Sequence, residues 1–288
     1  DAPRQSGPAL LLSVGQALLL AWRWRVTAGR LDLELPFGVA LSEYYLGNFL
    51  NQVLPGGVVG DASRAWRHAR HESAPRPAVN AVVLERGSAQ VIMTATACLS
   101  SALLPLPAPI RGGGALAAVG VLAGVFAFVT RTRSAGPVGP LAEDARRAVT
   151  AEGVVTFQFV TGLLAVASYI ATYLIAAEAL GGASHPATLA PLVAPVLMTM
   201  LLPVSVAGWG VREVAAAALW GAVGLTPEDG VAISVAYGAI VLLSTLPGAV
   251  VLVSAVARTR HRIARPLRSE TSGTGDAAHR SDSESDRA

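Results

Sequence analysis

The stretch that decides the fold runs from residue 48 to residue 70 and reads NFLNQVLPGGVVGDASRAWRHAR. An apolar segment begins at Phe37, and this stretch interrupts it with one proline, Pro55, and three glycines. Because proline removes a backbone donor and glycine frees the chain to turn, we expect the helix to end near Leu54. A basic helix is predicted to restart at Asp61, whose carboxylate can accept its first free N–H groups. In a membrane such a break persists only beside protein or a water-filled cavity, so it marks a candidate site.

The composition is that of a membrane protein. Of 288 residues, 52% are hydrophobic and 14% are charged, against about 25% charged in soluble domains. Runs of roughly 18 to 20 uncharged apolar residues cross a bilayer as helices. Four runs without a charged residue meet this length: 87–110, 112–130, 153–177 and 230–257. They predict an all-α, polytopic membrane protein.

A shorter apolar run, 9–21, ends in the four residues Trp22, Arg23, Trp24 and Arg25. In a signal peptide the positive residues precede the apolar run, whereas here the stronger cluster follows it. We interpret the run as a short span whose Trp and Arg residues form an interfacial anchor on the cytoplasmic side.

The positions of the arginines predict the topology. Arginines flank segment 37–54 on both sides, so a re-entrant hairpin would keep both clusters inside, whereas a full crossing would not. Five more arginines follow residue 257 and predict a cytoplasmic C-terminus of a multi-pass protein of the cell membrane. With the intervening spans assigned, segment 186–224 would begin and end outside.

A second interrupted segment, 199–213, reads TMLLPVSVAGWGVRE and repeats the first pattern of apolar run, Leu-Pro, glycines and a charged restart. Two such segments in opposite orientation are typical of inverted-repeat transporters, whose site lies where the broken helices meet. The alternative is two ordinary spans with proline kinks.

We predict about six spans plus two re-entrant broken-helix hairpins, near 37–70 and 186–224, in one membrane domain, 1–268. Residues 269–288 are almost free of apolar side chains and are predicted to form a disordered cytoplasmic tail.

Charged residues inside apolar segments are the candidate site. Each costs about 2.5 to 3.5 kcal/mol at membrane depth, so each calls for a partner or a use. Because helix neighbours diverge by roughly 100°, Glu85 is expected to pair with an arginine on another segment rather than with Arg86. The alternative to a functional role is an ion pair that only fixes helix packing.

The chemistry that fits these residues is capture of an anionic headgroup. Helix N-termini offer free N–H groups, glycines permit close approach, and an Arg fork binds phosphate with two hydrogen bonds. Asn48 and Asn51 either bond a glycerol or sugar hydroxyl or satisfy the carbonyls of the broken helix. The polar side chains Gln158, Tyr169 and Tyr173 in a later span can line a cavity or pack. The predicted substrate-binding residues are Asn48, Asn51, Gly57, Gly60, Asp61, Arg64, Glu85, Arg86, Arg212 and Glu213.

Motifs for other functions are missing from the sequence. The segment GGVVGD lacks the Gly-Lys-Ser/Thr ending of a nucleotide loop, and Cys98 is the single cysteine. No catalytic triad or metal-ligand motif is found, so we expect no enzyme activity, no metal and no cofactor. The basic residues are dispersed between the apolar runs, which argues against nucleic-acid binding.

The ordered motifs resemble a known family. They are NxxNxxLPGGxxGDxxRAW (48–66), LER (84–86), LPxSxxGWGxRE (202–213) and LPG (246–248). Over residues 8–257 the chain looks like the transmembrane region of the lysylphosphatidylglycerol synthase family, also called flippase-like membrane proteins. The resemblance implies movement of lipids between leaflets. It matches the family's polar positions at Asp61, Arg64, Glu85, Arg86, Arg212 and Glu213.

Two departures from that family limit what the resemblance implies. Members usually carry another span before the Trp-Arg-Trp-Arg region, and the sequence after residue 257 lacks the cytosolic aminoacyl-transferring domain of the full synthase. Synthesis of a lysyl-lipid is therefore not expected.

The predicted function is a lipid translocase for an anionic phospholipid or a polyprenyl-phosphate-linked lipid, with the headgroup held by Arg64 or Arg212. The alternatives are a non-catalytic scaffold for a separate lipid synthase or glycosyltransferase and an intramembrane lipid-modifying transferase. The expected partners are membrane lipids and, for the scaffold alternative, a synthase or glycosyltransferase. The sequence leaves the oligomeric state open.

Overall fold

A computed structural model of the chain describes residues 2–70, 72, 75–132, 138–181, 185–201 and 205–281, with side chains from residue 7 to residue 258 of these ranges. Every regular element in the described ranges is helical, which confirms the all-α polytopic class. The elements are α1 (Ala2–Gly29), α2 (Phe37–Val53), α3 (Val59–Ala69), α4 (Pro75–Ser101), α5 (Ala108–Arg131), α6 (Gly139–Ala148), α7 (Val154–Ala179), α8 (Pro186–Met198), a 3-10 turn (Thr199–Leu201), α9 (Val211–Ala222) and α10 (Pro227–Ser281).

Three helices in the described part of the chain are long and apolar enough to cross a membrane: α5, α7 and the Pro227–Arg258 part of α10. Helix α7 buries one side in the bundle, whereas the hydrophobic side chains of the other two are largely on the outside, as at Leu116 and Phe126 of α5, which are 75% and 70% exposed. Such a surface is unfavourable in water and suits contact with lipid. Helices α1 and α4, of 28 and 27 residues, are also long enough to span but contain charged residues.

Helix α1 corrects the expected interfacial anchor. It continues unbroken through the Trp-Arg-Trp-Arg stretch to Gly29. Arg23 and Trp24 are fully buried, whereas Trp22 and Arg25 are exposed. The anchor interpretation is therefore wrong for Arg23 and Trp24. Consecutive helical residues point about 100° apart, so two of the four face the neighbouring helices α2, α4 and α7.

The first break lies where it was expected. Helix α2 ends at Val53, and Gly56 and Gly57 adopt positive φ angles that favour glycine. Helix α3 begins at Val59 rather than at Asp61, and its cap comes from the preceding helix. The Asn51 side chain accepts a hydrogen bond from the Gly60 N–H at 2.7 Å. Asp61 is left free to bind other side chains.

The second break joins α8 to α9 and meets the first one. Residues 202–204, which include the expected Leu-Pro break, lie outside the described residues. Gly208 and Gly210 have positive φ angles at the turn before α9. Pro55 and Val206 form an isolated antiparallel bridge, and the Gly56 N–H donates to the Ser205 carbonyl at 3.3 Å. The expectation that the two broken segments meet is confirmed, whereas their opposite insertion into a bilayer stays a prediction.

Two clusters of buried apolar side chains stabilise the bundle. The first joins helices α1 to α7, with α5 contributing only its last turns, and includes Trp24 and Tyr44. The second joins the later part of α4 to α7, α8, α9 and α10, and includes Tyr173 and Trp220. Both clusters belong to a compact unit that extends to Gly248. Residues of both clusters line one internal cavity, which therefore lies where they adjoin.

The second unit begins at Ala249 and contains the C-terminal part of α10. The helix continues to Ser281, across the first part of segment 269–288 for which a disordered tail was expected. Residues 282–288 lie outside the described residues, and the disorder of the tail stays a prediction.

Candidate functional site

The bundle encloses a cavity of about 750 Å³ at the meeting point of the two breaks. This volume lies within the roughly 300–1,000 Å³ that is usual for ligand sites. Most of its wall is apolar. The polar residues of the wall are Ser13, Gln16, Tyr45, Asn48, Asn51, Gln52, Asp61, Arg86, Gln90, Tyr169, Thr172, Tyr237, Ser244 and Thr245.

An ion pair between Asp61 and Arg86 supplies the charge in the wall. Arg86 Nε lies 2.9 Å from Asp61 Oδ2, and the Arg86 side chain is 38% exposed. Asp61 also accepts hydrogen bonds from Asn51 Nδ2 and from Arg64 Nε, each at 3.0 Å. The Asp61 carboxylate thus accepts hydrogen bonds from three side chains. Arg86, in contrast, pairs with no other carboxylate among the described residues.

A second ion pair, between Arg64 and Glu85, lies behind the wall. Arg64 Nη2 is 2.7 Å from Glu85 Oε2, and the two side chains are 1% and 0% exposed. The guanidinium also packs over the rings of Trp24 and Tyr44, at 4.7 and 4.8 Å from their centres. The prediction that Glu85 pairs with an arginine of another segment is confirmed. The four charges alternate in sign along one connected network.

The charged residues of the second break form a separate cluster. Arg212 Nη2 lies 2.8 Å from Glu213 Oε1, and both residues bond Ser234 of α10. This pair is the exception to the argument that helix neighbours diverge. The Glu213 side chain bends back to accept a hydrogen bond from the Gly210 N–H, and the long Arg212 side chain reaches it from the first turn. Asp61 and Glu213 both occupy the third position of a restarted helix, where the helix dipole favours an acidic group.

The structure divides the predicted site residues into two groups. Those that line the cavity are Asn48, Asn51, Gly57, Asp61 and Arg86. Those that do not are Gly60, Arg64, Glu85, Arg212 and Glu213. Arg64 and Arg212 are each only 1% exposed and do not reach the cavity in which they were expected to contact a headgroup, whereas Arg86 lines it. The first turn of α3 lines the cavity, whereas that of α9 does not.

Gly60 has a packing role that the sequence did not reveal. A Cβ atom at Gly60 would overlap the Gly47 carbonyl, so α2 and α3 approach each other more closely than any larger residue allows. Asn51 accepts a hydrogen bond from the Gly60 N–H of the restarted helix, instead of donating to a carbonyl of the broken helix as the second of its two predicted roles required, and it contacts the cavity as well.

Sequence reasoning missed a polar face of α1. Ser13 and Gln16 line the cavity, and Arg23 and Thr27 continue the same face toward the end of the helix. Their spacing of three, seven and four residues is the helical signal that identifies such a face. In α7, Tyr169 lines the cavity, whereas Tyr173 packs in the core and Gln158 donates to Thr27.

No group of three or more His, Cys, Asp or Glu residues that would hold a metal ion occurs in the described ranges.

The chain matches the family described as "Lysylphosphatidylglycerol synthase TM region" over residues 3–248. It matches no curated protein and no solved structure.

Proposed function

Since this chain belongs to the lysylphosphatidylglycerol synthase transmembrane-region family, which indicates a role related to membrane lipids, we propose that it moves a lipid between leaflets. The substrate would be an anionic phospholipid or a polyprenyl-phosphate-linked lipid. The observation that carries the proposal is the cavity between the two breaks, in which one ion pair lies in a largely apolar wall.

The wall matches the two parts of a lipid. A phosphate needs charged donors, and Arg86 supplies them at a side chain that is accessible from the cavity. Hydroxyl groups of a headgroup would find Asn48, Gln52 and Tyr169 in the same wall. The acyl chains would remain in the bilayer and pass along the apolar part of the wall.

The network allows Arg86 to exchange partners at little cost. When Arg86 turns from Asp61 to a phosphate oxygen, Asp61 keeps its bonds to Arg64 and Asn51 and is not left as a buried, unpaired charge. Arg64 in turn stays paired with Glu85. In this mechanism Arg64 and Glu85 hold Asp61 in position and do not contact the lipid.

The experiment measures leaflet exchange by the purified protein in phosphatidylcholine liposomes that contain a trace of fluorescent phosphatidylglycerol. Dithionite bleaches only the outer leaflet, so exchange appears as bleaching beyond the outer-leaflet fraction. We expect the wild-type protein to exchange the lipid and Arg86→Met to slow exchange about tenfold or more, the effect of losing one charged hydrogen bond. The control is Arg147→Met, which removes an exposed arginine paired with Glu143 on the surface helix α6.

The outcomes separate the proposal from its alternatives. Exchange that is equal to that of protein-free liposomes would refute the translocase. Normal exchange in Arg86→Met would refute the assigned contact. A chemically altered lipid recovered from the liposomes would instead favour a transferase, and co-purification of a lipid synthase without exchange would favour a scaffold.

A further inference from the structure

Arg23 of α1 is a buried cation that the proposed mechanism does not use. Its side chain is fully buried, and it donates to the Gln158 carbonyl at 3.0 Å, to Thr161 Oγ1 at 3.2 Å and to Ser88 Oγ at 2.9 Å. All three acceptors are neutral, and Arg23 Nε has no hydrogen-bond partner among the described residues. No carboxylate lies within ion-pair distance of Arg23 in the same part of the chain, and Glu85, which attracts it from farther away, is already paired with Arg64. A buried arginine without an ion-pair partner of its own is costly, which calls for a use.

The charges around the cavity do not cancel. Arg64 and Arg86 are balanced by Asp61 and Glu85, and Arg212 is balanced by Glu213. Arg23 therefore leaves the described residues in and behind the cavity wall with one net positive charge. The excess charge lies on α1, away from the motifs that contain the other charged residues.

Arg23 lies close behind the cavity wall. Gly162 of α7 lines the cavity, and a Cβ atom at Gly162 would lie 2.8 Å from Arg23 Nη1 and closer still to Ile92 Cδ1. The guanidinium and the Ile92 side chain thus lie side by side against a part of the wall that has no side chain of its own. At such a position the field of the guanidinium reaches the cavity with little screening, because the intervening protein has a low effective dielectric constant.

We infer that Arg23 is the charge-selecting residue of the cavity, whose uncompensated positive charge behind Gly162 favours ligands with a net negative charge over zwitterionic ones. The inference rests on the proposed lipid-binding function. Arg23 acts through the wall and does not touch the ligand, whereas Arg86 contacts it. With an effective dielectric constant of about 20 and a separation of roughly 8 Å, one charge changes the affinity for an anion by about 30-fold.

The test compares two fluorescent lipids with the same acyl chains, phosphatidylglycerol with one net negative charge and phosphatidylethanolamine with none. Each is titrated against the full-length purified chain in neutral detergent, and the readout is the ratio of the two affinities. We expect Arg23→Met to lower the preference for phosphatidylglycerol by about 10- to 30-fold and Arg23→Lys to retain it. Arg25→Met removes an exposed arginine two residues away and should leave the ratio unchanged.

A second pair of variants tests the charge without removing the guanidinium. Ser88→Asp places a carboxylate next to Arg23 Nη2, where Ser88 Oγ lies now, and Ser88→Asn is its uncharged isostere. Neutralising Arg23 in this way should lower the ratio as Arg23→Met does, whereas Ser88→Asn should not. These two Ser88 variants test the role of the Arg23 charge even if Arg23→Met does not fold.

A purely structural role of Arg23 predicts a different result. It would lower the affinities for both lipids equally and leave their ratio unchanged, and that outcome would overturn the inference. A wild-type protein that binds neither lipid and exchanges neither in liposomes would overturn the proposed function as well. A wild-type protein that exchanges lipid, but whose ratio does not respond to Ser88→Asp, would overturn only the role of Arg23.

Discussion

Replacing Arg64 with methionine should destabilise the protein far more than replacing its partner Glu85 with glutamine. Without Arg64, Glu85 is a fully buried carboxylate with no cation within ion-pair distance among the described residues. Without Glu85, Arg64 still has Asp61 at 3.0 Å. Substituting the two members of this one ion pair is therefore expected to lower the free energy of unfolding by unequal amounts.

The contacts of Arg64 determine how much free energy of unfolding each substitution should cost. Breaking a buried pair from one side costs about 3 to 5 kcal/mol. The two ring contacts of Arg64, at 4.7 Å from Trp24 and 4.8 Å from Tyr44, add about 0.5 to 1 kcal/mol each. We expect Arg64→Met to cost about 4 to 7 kcal/mol. Glu85→Gln keeps a hydrogen-bond acceptor for Arg64 and should cost about 1 to 2 kcal/mol.

The assay is equilibrium unfolding in mixed micelles of a neutral detergent and SDS, followed by circular dichroism. The double variant should cost at least about 2 kcal/mol less than the sum of the single variants, because Glu85→Gln removes the carboxylate that Arg64→Met leaves unpaired. The control is Arg67→Met. Arg67, on the same helix α3 as Arg64, pairs with Glu43 of α2 at 2.6 Å, but the side chains are 24% and 22% exposed, so the cost should be about 1 kcal/mol or less.

Two results would contradict this reasoning. Single-variant costs that add to within about 0.5 kcal/mol in the double variant would mean that the pair is not coupled. A cost of Arg67→Met equal to that of Arg64→Met would mean that burial does not set the strength of these pairs.

Two further substitutions test the first break by the same unfolding assay. Gly60→Ala would force a methyl group against the Gly47 carbonyl and should cost about 1 to 3 kcal/mol, whereas Gly120→Ala, which meets open space on α5, should be neutral or slightly stabilising. A neutral Gly60→Ala would refute the close approach of α2 and α3. Asn51→Leu removes the acceptor of the Gly60 N–H and should cost about 1 to 3 kcal/mol and speed hydrogen exchange at that amide. Unchanged exchange would show that Asn51 does not cap α3, with Asn48→Leu as the matched control.

Local chemistry explains why the elements around the first break could be predicted from the sequence. Proline and glycine act on their own turn of the chain, so the end of α2 near Leu54 follows without knowledge of the neighbours. The partner of Glu85 was expected on another segment for a similar local reason, since helix neighbours diverge. That argument failed at Arg212 and Glu213, because Glu213 bends back to the Gly210 N–H in the first turn of α9, where the Arg212 side chain reaches it.

The sequence by itself determined that this is a polytopic helical membrane protein with interrupted segments, because hydrophobicity, proline and glycine act over single turns. Only the tertiary structure decided which charged residues face the cavity and which lie behind it. Arg23 was expected at a membrane interface and is buried, Arg64 was expected to contact a ligand and instead positions Asp61, and Arg86 faces the cavity. The physical reason is that the face of a helix that becomes buried depends on the helices packed against it, which come from distant parts of the chain.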